Sequence, residues 1–292
     1  MDTKTLQGKE ILITATALLL VCSCGGAQEE TGQTAQHDTI GEYQVCTELY
    51  PADDPDRVVF EYTDDKITMK NEGIVLDSTE EGFSNQDVAE IAGDLYWRWG
   101  GNILKVMFIE GDSAVMRKVM TAAKKWERHC AVRFVFGSFV DPDVTIAFQP
   151  GGSWSYIGSY CQVKRPSMNL GWLKSTTNDA EYDRVVLHEF GHAMGFIHEH
   201  QQPNAEFQWN EDTVYAYYRR SQRPPWGRDK VYRNIFQKYK FSQVNATQYD
   251  SLSIMLYSFP KEFTLNGRGT SWNTALSAMD IAFANTWFPQ QP

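Results

Sequence analysis

His188-Glu189-Phe190-Gly191-His192-Ala193-Met194-Gly195-Phe196-Ile197-His198 is the stretch from which the rest of the chain is read. On a helix, residues four apart lie about one turn above each other, so the imidazoles of His188 and His192 can reach one metal ion. Glu189 stands beside them, where a general base is needed. Continuous helix would carry His198 about 240° around the axis and about 9 Å along it from His192, away from any shared ion. The helix must therefore stop in between. Gly195 permits this, because glycine adopts the left-handed conformation at almost no steric cost. Three imidazoles then converge and a fourth coordination position stays open, the mark of a catalytic rather than a structural zinc site. The expected ion is Zn²⁺, with His188, His192 and His198 as ligands.

Working outward, the motif helix begins near Asn178, with Asn178 and Glu181 spaced as a capping box. Tyr182, Val186, Phe190 and Ala193 form its core stripe, and the two histidines fall on another side. Upstream, residues 102–109 read as a strand and 113–129 as a helix, with Val115, Val119, Ala122, Ala123 and Trp126 on one face. Residues 132–136 and 144–148 read as two further strands, and 151–156 as a turn and a short strand. Downstream the pattern is irregular, with helical spacing at 213–219, 230–236 and 277–286. This order predicts an α+β domain with a twisted mixed sheet, a long active-site helix and an irregular C-terminal subdomain. An extended substrate would pair with a sheet edge, and residues 144–148 are the expected edge.

The chain has 292 residues, 42% of them hydrophobic, enough for one sizeable core with a smaller module beside it. Its net charge of −10 leaves no overall basic surplus to suggest nucleic acid. That charge is unevenly spread: residues 27–94 hold 18 acidic and 3 basic side chains, residues 95–292 hold 17 and 22. Opposite signs predict two parts that attract one another, the alternative being a merely solvated acidic spacer. Lys4 and Lys9 precede an apolar run at 11–21, too short to span a bilayer, so residues 1–24 read as a signal peptide and the protein as exported. Val21-Cys22-Ser23-Cys24-Gly25 resembles a bacterial lipoprotein cleavage box, although Cys22 stands where a small or branched residue is usual. Two outcomes stay open: membrane attachment through a lipidated Cys24, facing the periplasm or the exterior, or ordinary cleavage and secretion. Residues 25–94 read as an acidic tether and prosegment, with strands at 58–62 and 67–69, and residues 95–292 as the catalytic domain. A monomer is expected. Of the remaining cysteines, Cys130 and Cys161 are the expected disulfide, leaving Cys46 odd. An odd thiol in a zinc protein also invites a role as metal ligand in a latent form.

The motif His-Glu-x-x-His-x-x-Gly-x-x-His resembles that of the metzincin zinc peptidases and is matched at all five defined positions. Ser253-Ile254-Met255-Leu256-Tyr257 resembles their methionine turn. Glu199 after the third histidine, and Tyr257 two residues after the methionine, look like the astacin branch. The resemblance covers residues 95–288. It departs at Leu256, where astacins usually have His, and at His200, where they usually have Gln. Ile91-Ala92-Gly93-Asp94 only partly matches the astacin latency motif, in which an aspartate blocks zinc.

The resemblance implies a zinc endopeptidase acting on extracellular proteins or peptides. Glu189 would be the general base, Tyr257 a zinc ligand that can swing away to steady the transition state, Met255 an apolar floor, and Glu199 a partner for the processed amino terminus. His200 reads as a surface histidine. The competing reading is a surface-anchored, catalytically silent binding module that holds zinc.

Overall fold

The computed structural model describes the backbone of four short strands between Cys46 and Leu76, and residues 98–290 apart from 223, 242, 243 and 246. The chain divides into residues 1–41, which lie outside the described residues, and a unit of residues 42–292. The possible lipobox, with Cys24, and Asp94 also lie outside them.

The strands are β1 (Cys46–Leu49), β2 (Val59–Thr63), β3 (Lys66–Asn71), β4 (Ile74–Leu76), β5 (Ile103–Phe108), β6 (Arg133–Phe136), β7 (Val144–Ala147), β8 (Ser153–Tyr156) and β9 (Met168–Leu170). β2, β3 and β4 form a small antiparallel sheet. The main sheet has the order β1-β8-β9-β7-β5-β6. β5 is parallel to β6 and β7, β7 is parallel to β9, and β8 runs antiparallel to β9.

This corrects the expected substrate edge. All four residues of β7 are buried, and the strand lies between β5 and β9. Its unbroken Val-Thr-Ile-Ala run is that of a strand covered on both faces. Within the main domain the edge beside the motif helix is β8, whose Ser-Trp-Ser-Tyr alternation puts Ser153 and Ser155 inside and leaves Trp154 and Tyr156 half-buried.

Helix α1 (Ser113–Ala123) starts on Asp112, whose carboxylate accepts from the Ala114 and Val115 amides at 2.6 and 3.2 Å. It ends six residues before the predicted stop. A 3-10 turn at Trp126–Arg128 swings the Trp126 indole inward to donate to Leu187 O at 3.1 Å. Helix α2 (Asp179–Met194) carries the motif, with the Asn178 side chain accepting from Glu181 N. The Glu181 carboxylate does not close a capping box: it accepts from Trp172 Nε1 and, through two bonds, from Arg184. α3 (Glu211–Ser221), the short α4 (Arg228–Val231) running into a π turn at Tyr232–Phe236, and α5 (Ala278–Trp287) complete the chain.

Cys130 and Cys161 are both free and buried, not bridged as expected. Cys130 Sγ lies 3.5 Å from Trp126 O and Cys161 Sγ 3.1 Å from Tyr156 O. Burial pushes the Cys161 thiol up to about 12. Both fill the core as small apolar groups.

Two apolar clusters result. One joins α1, α2 and the sheet to Ile254, Met255, Ala284 and Phe288. The other gathers Val214, Tyr217, Tyr218, Trp226, Val231, Ile235, Tyr257, Phe259 and Phe263. The turn at residues 253–257 thus sends Met255 into the first and Tyr257 into the second.

Candidate active site

Gly195 takes φ 107°, ψ 12° and donates its amide to the carbonyls of the last turn, so α2 stops where the third histidine requires it. His198 then turns back. His192 Nε2 lies 3.2 Å from His188 Nε2 and 3.1 Å from His198 Nε2. Each ring turns its other nitrogen outward: His188 Nδ1 donates to Ile254 O at 2.8 Å, His192 Nδ1 to Phe196 O at 2.8 Å, and His198 Nδ1 to Gln201 Oε1 at 3.1 Å. Backbone carbonyls can only accept, so Nδ1 of His188 and His192 carries the proton and each Nε2 presents a lone pair.

Three lone pairs facing one point at such spacing fit a shared cation. Burial lowers the His188 pKa to about 4 and pushes that of His198 well below its ordinary value. Both rings are therefore neutral at pH 7, the state in which imidazole ligates a metal.

The remaining expected residues cluster here. Glu189 is fully buried on the turn between the first two histidines. The Tyr257 ring centroid is 4.2 Å from that of His198 and 5.9 Å from that of His188. Met255 presses on the back of α2, where any Cβ at position 191 would run into its Sδ. Gly191 is the residue that lets the two segments touch. Glu199 Oε1 accepts from Gln202 Nε2 and from Asp250 N, both at 2.7 Å. Its burial raises the carboxyl pKa to about 7.

His200 is not on the surface. The 3-10 turn at Glu199–Gln201 aims it inward, 1% exposed, with its ring centroid 4.9 Å from Tyr257 and 5.0 Å from Phe259. Its Nε2 donates to Asn234 O at 3.0 Å.

Two supporting residues were not read from the sequence. Asp280 on α5 accepts from Ile254 N and Ser277 N through Oδ2, at 2.8 and 2.9 Å, and from Ser253 Oγ through Oδ1 at 2.7 Å. It thereby holds the turn whose Ile254 carbonyl receives His188. The Ser277–Asp280 spacing was its visible signal. Gln201, packed against His198, carried none.

The comparisons agree with this geometry. The family model for astacin, a family of peptidases, matches residues 93–279. The chain is similar to blastula protease 10 of Paracentrotus lividus, 27% identical over an alignment of 208 positions, gaps included, that covers 64% of this chain and 32% of that protein. Protein SpAN of Strongylocentrotus purpuratus is also 27% identical, over 209 aligned positions, gaps included, that cover 64% and 30% of the two proteins. The chain thus spans about a third of the length of these curated relatives. Among solved structures, one of myroilysin is 35% identical with a TM-score of 0.63, covering 67% of this chain and 97% of that one. A second is 29% identical with a TM-score of 0.56, covering 85% and 91%.

Proposed function

The chain belongs to the astacin family of peptidases, and on that premise we propose that it is a zinc-dependent endopeptidase acting on exported or extracellular proteins and peptides. The observation that carries this reading is the convergence of three Nε2 atoms whose Nδ1 partners all face outward. His188, His192 and His198 hold the ion. Bound zinc supplies a Lewis acid that acidifies a water and polarises a carbonyl. Glu189 takes the proton of the attacking water and passes it to the leaving amine. The Tyr257 phenol, packed against His198, donates to the oxygen on which negative charge develops. Met255 supports the site from beneath.

Residues 25–94 are the prosegment in this reading. What supports it is β1, a strand of the acidic segment, which pairs in parallel with β8, Cys46 opposite Ser153 and Leu49 opposite Tyr156. A segment there takes the hydrogen-bonding edge that an extended substrate needs. Export follows from residues 1–24, with attachment through Cys24 or release as the two outcomes. Among the described residues no helix is long and apolar enough to cross a membrane.

The test is digestion of a denatured protein mixture by the full chain and by residues 95–292, each as wild type and Glu189→Ala, with bound zinc quantified. Cleavage by the trimmed wild type alone, with zinc in every sample, is the expected result. Zinc without cleavage in the trimmed protein would favour the silent binding module.

A further inference from the structure

The three histidines are oriented by different means. His188 and His192 give their Nδ1 protons to backbone carbonyls. His198 faces the side chain of Gln201, and an amide can present either an acceptor oxygen or a donor nitrogen. Which one it presents decides which nitrogen of His198 is bare.

The surroundings of Gln201 settle that choice. The residue is 2% exposed. Its Nε2 donates to Arg233 O at 2.6 Å and to Gln237 O at 3.0 Å. Both partners are carbonyls, so the amide nitrogen must face them and Oε1 must face His198. An oxygen can only accept, so the proton sits on Nδ1 and the lone pair on Nε2.

The carbonyls are available because of the local backbone. In the π turn the Gln237 amide bonds to Tyr232 O, five residues back, at 2.8 Å, leaving carbonyls that ordinary helical bonding would occupy. His200 takes Asn234 O and Gln201 takes Arg233 O, while Tyr239 N returns a bond to Gln201 O at 2.9 Å. The two residues after Glu199 are therefore clamped to a segment more than thirty positions further along.

We propose that Gln201 is a positioning residue, through which the π turn at Tyr232–Phe236 fixes the tautomer and ring orientation of His198. The inference rests on the zinc-peptidase reading for its purpose, but its first readout needs no metal. Partners of metal-binding histidines of this kind contribute about 10–100-fold to metal affinity.

The experiment uses the full chain. Nitrogen-detected NMR of the histidine rings in the metal-free wild type is expected to show His198 protonated at Nδ1. Gln201→Met, similar in size but without the polar pair, is expected to lose that preference and to bind zinc about 10–100-fold more weakly in chelator competition. Its metal-free unfolding temperature should fall, because the Arg233 and Gln237 carbonyls lose their donor, so zinc affinity is compared at a temperature where both proteins are folded. Gln201→Glu restores an oxygen toward His198 and is expected to recover affinity, while amide exchange over residues 232–239 speeds up. A wild-type His198 protonated at Nε2, or Gln201→Met binding zinc within about twofold of wild type, would overturn the proposal. Should Gln201→Met not fold, the wild-type tautomer still decides. Should the wild type bind no zinc, the peptidase reading fails while the tautomer result stands on its own.

Discussion

Gly191 and Gly195 share one motif for different reasons. Gly195 is needed for its positive φ, Gly191 because Met255 Sδ fills the space of its missing Cβ. Gly191→Ala forces an extra methyl into a packed core and is expected to cost about 1–3 kcal/mol, read as a lower unfolding temperature; an unchanged temperature would mean that Met255 moves aside cheaply. Tyr257→Phe keeps the tilted ring contact with His198 and the stack on His188, and removes only the phenol oxygen. The expected loss is about 10²-fold in kcat with zinc retained and KM little changed, and an unchanged kcat would reduce Tyr257 to packing. Glu199 gives a pH prediction. Its pKa rises from 4.5 to about 7 on folding, so the native state binds the extra proton between those values and loses that stabilisation as pH rises through them. In metal-free protein, Glu199→Gln should therefore lose less unfolding temperature between about pH 5 and 8 than wild type does. An equal loss in the two would show that this buried carboxyl is not the source.

At the scale of elements, the comparison that matters is between two helix starts. Asp112 caps α1 alone, and Asp112→Ala is expected to cost about 1 kcal/mol with zinc binding intact. Asp280 sits on α5 but also holds Ser253 and Ile254, and through Ile254 O the His188 ring. Asp280→Ala leaves several buried donors without partners and should cost about 2–4 kcal/mol in urea unfolding, with weaker zinc binding as well. Equal effects from the two substitutions would contradict the coupling of α5 to the metal site. The elements themselves were largely legible, because α1, α2 and α5 follow helical spacing and their starts carry Asp112, Asn178 and Ser277. The π turn at Tyr232–Phe236 was not, since helical spacing at 230–236 does not reveal one extra residue in the turn. The strand at β7 was visible but its place in the sheet was not: a buried run says that both faces are covered without saying by which strands.

For the whole molecule, long-range contacts are what the sequence left open. His200 has an ordinary polar side chain at an irregular position, and only the meeting of Tyr257, Phe259 and the π turn shows that it is buried. Cys130 and Cys161 obeyed the arithmetic of an exported protein, yet both are held free in the core. The charge division between residues 27–94 and 95–292 was legible directly. If residues 25–94 are the proposed prosegment, salt screens its acidic side chains from the net-basic residues 95–292, and autolytic release should quicken between about 0.05 and 0.5 M NaCl; a rate independent of salt would leave the β1–β8 pairing as the main tether. The convergence of His188, His192 and His198 was legible almost in full, because a two-turn histidine pair, a helix-ending glycine and a third histidine leave little other geometry. X-ray absorption at the zinc edge on residues 95–292 tests it most directly. The account predicts three nitrogen neighbours at about 2.0–2.1 Å with at least one oxygen; a closed shell of four protein ligands, or no zinc at all, would contradict it.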